Sequence, residues 1–206
     1  VILAIDTSSA ISVAVVDGDK TVAARTEFSP RGHSELLSGM IEAALADAGI
    51  AGTDVDAIVV GTGPAPFTGL RVGLVTARTL GMVWRVPVRG VCSLDAVGAQ
   101  AADAGGGQIT VVADARRKEV YWATYTNGVA DGAPHVSAPA DVQPLGGVVG
   151  RGALLYPDVF PDAKDADPDP AWLARVAARR LEAGDTDFPT EPMYMRRPDV
   201  HGVPGA

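Results

Sequence analysis

Apolar and polar residues fall in short alternating runs over 1–6, 11–16 and 21–26, a period that predicts three strands. Asp17-Gly18-Asp19, between the second and third, supplies the small turn-forming residues of a hairpin. The period then lengthens. Leu36, Leu37, Met40, Ile41, Ala44, Leu45 and Ala48 share one side of a helix that Gly49 can close. An apolar run at 57–60 predicts a strand, 70–84 a second helix with Thr68 as its N-cap, 86–90 a strand and 94–102 a third helix. Helices following strands in this order predict an α/β layer domain with a mixed sheet.

Ala104-Gly105-Gly106-Gly107 marks the expected division, giving an N-terminal α/β domain over 1–104 and a reduced C-terminal one over 105–206. Beyond it, 109–113 and 120–126 predict a hairpin turned by Arg116-Arg117-Lys118. Residues 127–170 are rich in Pro, Gly and Asp and give no register. A helix is expected over 171–183, with Leu173, Val176, Ala177, Arg180 and Leu181 on one side. The four prolines of 189–206 predict an extended or partly disordered tail. The second half reads as a stripped-down copy of the first.

The chain has 206 residues, 47% of them hydrophobic, enough for a sizeable core. No apolar run approaches a bilayer span, and 1–6 reads as a strand rather than a leader, so a soluble cytoplasmic protein is expected. A lone Cys92 leaves no internal disulfide and no cysteine zinc cage. The net charge of −8 argues against nucleic-acid binding by this chain alone, which requires clustered cations.

Candidate chemistry sits at three corners. Residues 61–73 hold four glycines and two prolines between a strand and a helix. Such a corner is either a rigid structural turn or a place where helix N–H groups meet an anion. It matches neither common phosphate loop, since Pro66 stands where G-x-G-x-x-G needs its last glycine, and no G-K-[ST] occurs. Asp6-Thr7-Ser8-Ser9 ends the first strand. Its carboxylate and hydroxyls can hold a phosphate or hydrated magnesium, or satisfy turn N–H groups. Asp114 ends the first strand of the second half as Asp6 ends that of the first, so in a duplicated nucleotide-binding fold the two would flank the phosphates. The alternative is a solvated turn. His33, His135 and His201 are isolated, and Leu37 stands where a helical zinc site would want a second histidine, so no metal site is read. On the second helix Gly73, Ala77 and Gly81 recur every four residues. This flat stripe can take the chain's own sheet or a helix of another subunit.

Taken together and in order, Ile2-Leu3-Ala4-Ile5-Asp6-Thr7-Ser8, Arg31-Gly32-His33-Ser34, the 61–71 corner, Asp114-Ala115-Arg116-Arg117-Lys118-Glu119-Val120-Tyr121-Trp122 and Pro192-Met193-Tyr194-Met195-Arg196 resemble the TsaB (YeaZ) family. These are bacterial subunits of the machinery that makes threonylcarbamoyladenosine in tRNA. The resemblance covers most of the first 125 residues and returns at the tail.

The resemblance implies an actin/hexokinase/Hsp70-like ATPase fold of two related halves, the second reduced. It implies a non-catalytic scaffold whose partner is the paralogous TsaD, which transfers threonylcarbamoyl to the adenosine beside the anticodon. A TsaE-like ATPase joins, the chain pairs with itself when alone, and tRNA is met only through the complex. The docking residues expected on the first two helices are His33, Leu36, Leu37, Met40, Ile41, Leu70, Gly73, Ala77, Leu80 and Gly81. No cofactor is expected to be held tightly. Asp6, Thr7, Ser8 and Asp114 would form a degenerate nucleotide site, and ATP or ADP would sit at the junction with the partner. The family has glycine and serine where this chain has Ala65 and Pro66, which weakens anion binding by the corner's backbone. The alternatives are a free-standing ATP-dependent small-molecule kinase on the same fold and, further off, a metallopeptidase.

Overall fold

Strands β1 (Ile2–Asp6), β2 (Ile11–Asp17), β3 (Lys20–Glu27), β4 (Ala57–Gly61) and β5 (Val88–Val91) form a sheet ordered β3-β2-β1-β4-β5. The computed structural model describes residues 1–28, 33–65 and 67–195. β1 lies antiparallel to β2 and parallel to β4, and β4 lies parallel to β5. Alternation along each strand sorts its side chains between two layers. Leu3, Ile5, Val13, Val15, Ile58 and Val60 face helices α1 (His33–Ala48) and α2 (Phe67–Trp84). The smaller Ala4, Ala14, Val16 and Val59 face α4 (Pro170–Glu182) on the other side.

A second sheet holds β6 (Gln108–Asp114), β7 (Val120–Thr126), β8 (Val129–Ala130), β9 (His135–Ser137) and β10 (Gly147–Val149), ordered β10-β6-β7-β8 with β9 also on β7. β10 runs parallel to β6 as β4 does to β1, and β6, β7 and β8 pair antiparallel in succession as β1, β2 and β3 do. The second half therefore repeats the first without the counterpart of β5. This is the α/β fold of two related halves, the second reduced, that the sequence leads one to expect. Helix α3 (Ser93–Asp103) joins the halves: Leu94 and Val97 pack on the second sheet, Ala96 and Ala99 on the α4 side of the first.

The division at 104 needs correction. α4 belongs by sequence to the second half, yet Leu173, Ala174 and Ala177 complete the core of the first sheet. Asp169 caps this helix by accepting the Ala171 N–H at 2.8 Å, with Pro170 at its first position. The second helix begins at Phe67, so Thr68 lies within it rather than capping it. The hairpin tip is as expected, and Arg116, Arg117 and Lys118 all adopt positive φ.

The tail is extended but not loose up to residue 195. Phe188 packs on the α4 side of the core, and its carbonyl accepts the Gly90 N–H from β5 at 3.3 Å. A Cβ on Gly90 would lie 1.9 Å from the Pro189 carbonyl oxygen, so the absent side chain admits the crossing. The chain then turns over the sheet edge to α2. There Arg78 Nε donates to Thr190 Oγ1 at 2.9 Å, and Arg71 Nε to the Tyr194 hydroxyl at 2.7 Å. Met193 N–H reaches the Thr62 carbonyl at 2.9 Å. Residues 188–195 thus form a strap around β5, covering a sheet edge that would otherwise invite pairing.

Candidate functional site

Two regions collect the residues singled out by sequence: a cleft between the halves, and the outer faces of α1 and α2. At the cleft, Asp6 ends β1 fully buried. Its Oδ1 accepts the Ser8 N–H at 2.8 Å and the Ser8 hydroxyl at 2.6 Å, and its Oδ2 accepts the Ser93 hydroxyl at 2.6 Å. Burial raises its pKa, outweighing these donors, which favour the anion. Ser93 Oγ also accepts the Gly63 N–H at 3.2 Å, and the Ser93 N–H reaches the Gly63 carbonyl at 2.8 Å. The 61–65 corner is thereby tied to α3, and Thr62 N–H goes to the Val91 carbonyl. These N–H groups are used internally, which favours the structural-turn reading of the corner. Pro66 lies outside the described residues.

Four residues were expected at a nucleotide site, and the structure divides them. Ser8 and Asp114 line a cleft of about 300 Å³ together with Ser9, Arg116, Arg151 and Asp167. Asp6 and Thr7 do not line it. The Asp6 carboxylate is used by hydroxyls and backbone of its own chain, and buried Thr7 accepts the Gly73 N–H at 3.2 Å through Oγ1. The charges lining the cleft are paired. Arg116 Nη1 stands 3.2 Å from Asp114, and Arg151 Nη2 stands 2.8 Å from Asp167, which also accepts the Ser9 hydroxyl. Gly150 and Gly152 press against β6: a Cβ on either would meet the Val112 carbonyl oxygen at 2.2 Å or the Ala113 carbonyl carbon at 2.3 Å. Their bareness serves backbone packing. Of the carboxylates expected there, Asp6 is enclosed, whereas Asp114 lines the cleft paired with Arg116, and Arg151 is paired with Asp167.

Sequence reasoning missed Ser93, Arg151 and Asp167. The one available signal was that Ser93 follows β5 as Ser8 follows β1, a hydroxyl just past a strand end. It also missed a buried tie between α3 and β7, where the Tyr125 hydroxyl donates to Asp95 Oδ1 at 2.9 Å. Burial pushes both of these groups up in pKa.

The helix faces need a larger correction. Leu37, Ile41, Leu70 and Ala77 are buried against the chain's own sheet. The small-residue stripe points inward too. A Cβ on Gly73 would lie 2.5 Å from Thr7 Oγ1, and one on Gly81 2.2 Å from Val88 Cγ2. The stripe lets α2 lie close on β1 and β5, so these residues are unavailable to a partner. Met40 and Leu80 are half-buried on the core margin, and Leu36 is exposed. His33 opens α1, but its side chain lies outside the described residues. The outer side of α2 instead presents Met82, Val83 and Val75, exposed by 80%, 67% and 61%. These three side chains are the large exposed apolar residues of α2 among the described residues.

Comparison with known proteins agrees with this fold. Residues 24–147 match the family model for TsaD, tRNA N6-adenosine threonylcarbamoyltransferase. The chain is 34% identical over 218 residues to the tRNA threonylcarbamoyladenosine biosynthesis protein TsaB of Escherichia coli, covering 95% of this chain and 94% of that one. It is 43% identical over 204 residues to an uncharacterized protein of Mycobacterium tuberculosis, covering 97% and 93%. The solved structure of YeaZ from Pseudomonas aeruginosa superposes with a TM-score of 0.82 at 29% identity, over 94% of this chain and 98% of that one.

Proposed function

This chain belongs to the TsaB family of tRNA threonylcarbamoyladenosine biosynthesis proteins, and we propose that it serves that modification as a non-catalytic subunit, docking a TsaD-like threonylcarbamoyltransferase on α1 and α2. The observation that carries this reading is the exposure of Met82, Val83 and Val75 on α2, with Leu36 exposed on α1. A stable interface buries about 1,600 Å² in total, within reach of a pair of helices on each side. The transferase carries the chemistry, a TsaE-like ATPase completes the assembly, and tRNA meets the complex rather than this acidic chain alone. In the absence of the transferase, the same apolar face drives self-association.

Enclosure of Asp6 and pairing of Arg116 and Arg151 weigh against a kinase. We assign the nucleotide of the assembly, ATP or ADP, to the junction between subunits instead. No described helix is long and apolar enough to cross a membrane, and the proposed place of action is the cytoplasm, where the transferase meets tRNA.

Reconstitution tests the reading. The transferase, tRNA and threonylcarbamoyl-adenylate are combined with the wild-type chain, with Met82→Glu, or with neither. Transfer should require the wild-type chain and fail with Met82→Glu. Threonylcarbamoyl transfer or ATP turnover by this chain alone would overturn it.

A further inference from the structure

The run Pro192-Met193-Tyr194-Met195 has no part in the cleft and no part in the core of either sheet. It lies in the strap, and the strap lies beside the exposed face of α2. Arg71 precedes Val75 by four residues and Arg78 precedes Met82 by four, so each strap-holding guanidinium stands one helical turn from an exposed apolar side chain on the same side. Arg71 holds Tyr194, with its guanidinium carbon also 5.7 Å from the Tyr194 ring centre. Arg78 holds Thr190 by side chain and carbonyl and Glu191 at 3.3 Å. The Tyr194 ring remains 42% exposed although its hydroxyl is engaged. An aromatic ring fixed by its polar tip and partly exposed is the kind of group that anchors interfaces.

We propose that residues 188–195 form one wall of the docking surface, and that Tyr194, held by Arg71, contacts the paralogous transferase directly. The proposal rests on the docking function inferred above. The transferase is the occupant because the transferase family model matches this chain over 24–147, a stretch that includes α1 and α2. A partner of that family brings the counterpart of this helix pair, and the two pairs can meet face to face. The strap lies outside the matched stretch, so it is what this chain adds at the margin of that meeting. Its anchoring agrees with such a role. Arg180 stacks on Phe188 at 4.4 Å on one side of the sheet, and Arg71 and Arg78 grip it on the other. The wall is therefore set before the partner arrives, which limits the ordering cost of binding.

The test measures affinity between the full chain and the transferase of the same organism by titration calorimetry, and self-association of the chain by analytical ultracentrifugation. The variants are Met82→Glu, Tyr194→Ala, Tyr194→Phe and Arg71→Ala. Tyr194→Ala and Arg71→Ala should each weaken transferase binding about tenfold or more, and Tyr194→Phe, which keeps the ring, should weaken it less. Hydrogen exchange of the wild-type chain requires no variant and should show residues 188–195 slowed when the transferase is bound. If Met82→Glu abolishes binding while the strap variants bind normally and 188–195 exchange unchanged, the strap proposal falls and the docking function stands. If Met82→Glu also binds normally, the docking function itself falls. Weakened self-association with unchanged transferase affinity would give the strap to a second copy and overturn the proposal.

Discussion

The Ser93 hydroxyl donates to Asp6 Oδ2 at 2.6 Å across 87 positions of sequence, and Ser93 Oγ itself accepts the Gly63 N–H. One hydroxyl therefore joins the end of β1, the start of α3 and the corner that leads into α2. Ser93→Ala leaves a buried carboxylate oxygen and a buried N–H each short of a partner. Each unsatisfied group costs about 1–3 kcal/mol, so urea denaturation should show a loss of several kcal/mol. A loss below about 1 kcal/mol would mean that the corner is held by other contacts.

Asp6 also sets a pH dependence. Burial raises its pKa in the folded chain, whereas in the unfolded chain it titrates at about 3.9. As pH falls from neutrality, the folded state takes up this proton first. The contribution of Asp6 to stability is therefore fully present below the unfolded pKa and is lost as pH rises through the folded one. Asp95 acts in the same direction, its pKa also raised mainly by burial. Denaturation at a series of pH values should show wild-type stability gaining on Asp6→Asn as the solution is acidified toward about pH 4. Parallel curves would refute a raised pKa.

The two sides of α2 should respond oppositely. Gly73→Val forces a side chain into Thr7, and Ala77→Leu enlarges a fully buried position, so each should cost about 1–3 kcal/mol by overpacking. Met82→Glu touches only the exposed side and should change monomer stability by less than about 0.5 kcal/mol. Thermal unfolding of the three variants checks this. A stable Gly73→Val chain with impaired association would restore the stripe as a docking surface.

These contrasts show what was legible in the sequence and what was not. The alternation of Leu3, Ile5, Val13 and Val15 with Ala4 and Ala14 fixes the strands, and the helical spacing of Leu37, Ile41 and Leu45 fixes α1, because burial repeats along each element. β8, β9 and β10 span two or three residues each, too short for a period to emerge. Asp6 and Asp114 are expected to converge because they end equivalent strands of a duplicated fold, but the structure encloses Asp6 and leaves its neighbour Ser8 with Asp114 at the cleft. Ser93, Arg151 and Asp167 were not legible, because their roles depend on contacts made by other segments. Gly73, Ala77 and Gly81 were readable as a stripe, but small residues suit a sheet and a partner helix equally. Met82 and Val75 on the opposite side were the sign of which way α2 faces.

Arg151 ties the halves together at the mouth of the cleft. Its guanidinium pairs with Asp167, stands 4.3 Å over the Phe28 ring that follows β3, and lies 3.8 Å from Asp165. Asp167 in turn accepts the Ser9 hydroxyl. Arg151 is about half exposed, so its ion pairs contribute about 1 kcal/mol at most, and the stacking contributes a similar amount. Arg151→Ala should therefore cost little global stability. It should instead quicken hydrogen exchange locally, in the turn after β1 and around residues 165–168, by releasing one half from the other. Arg151→Lys keeps the charge but loses the planar stack and the forked donors, and should fall between the two. Exchange measured by mass spectrometry on all three proteins reads this directly. Acceleration spread evenly over both sheets would mean that Arg151 stabilises the whole fold rather than the closure of its two halves.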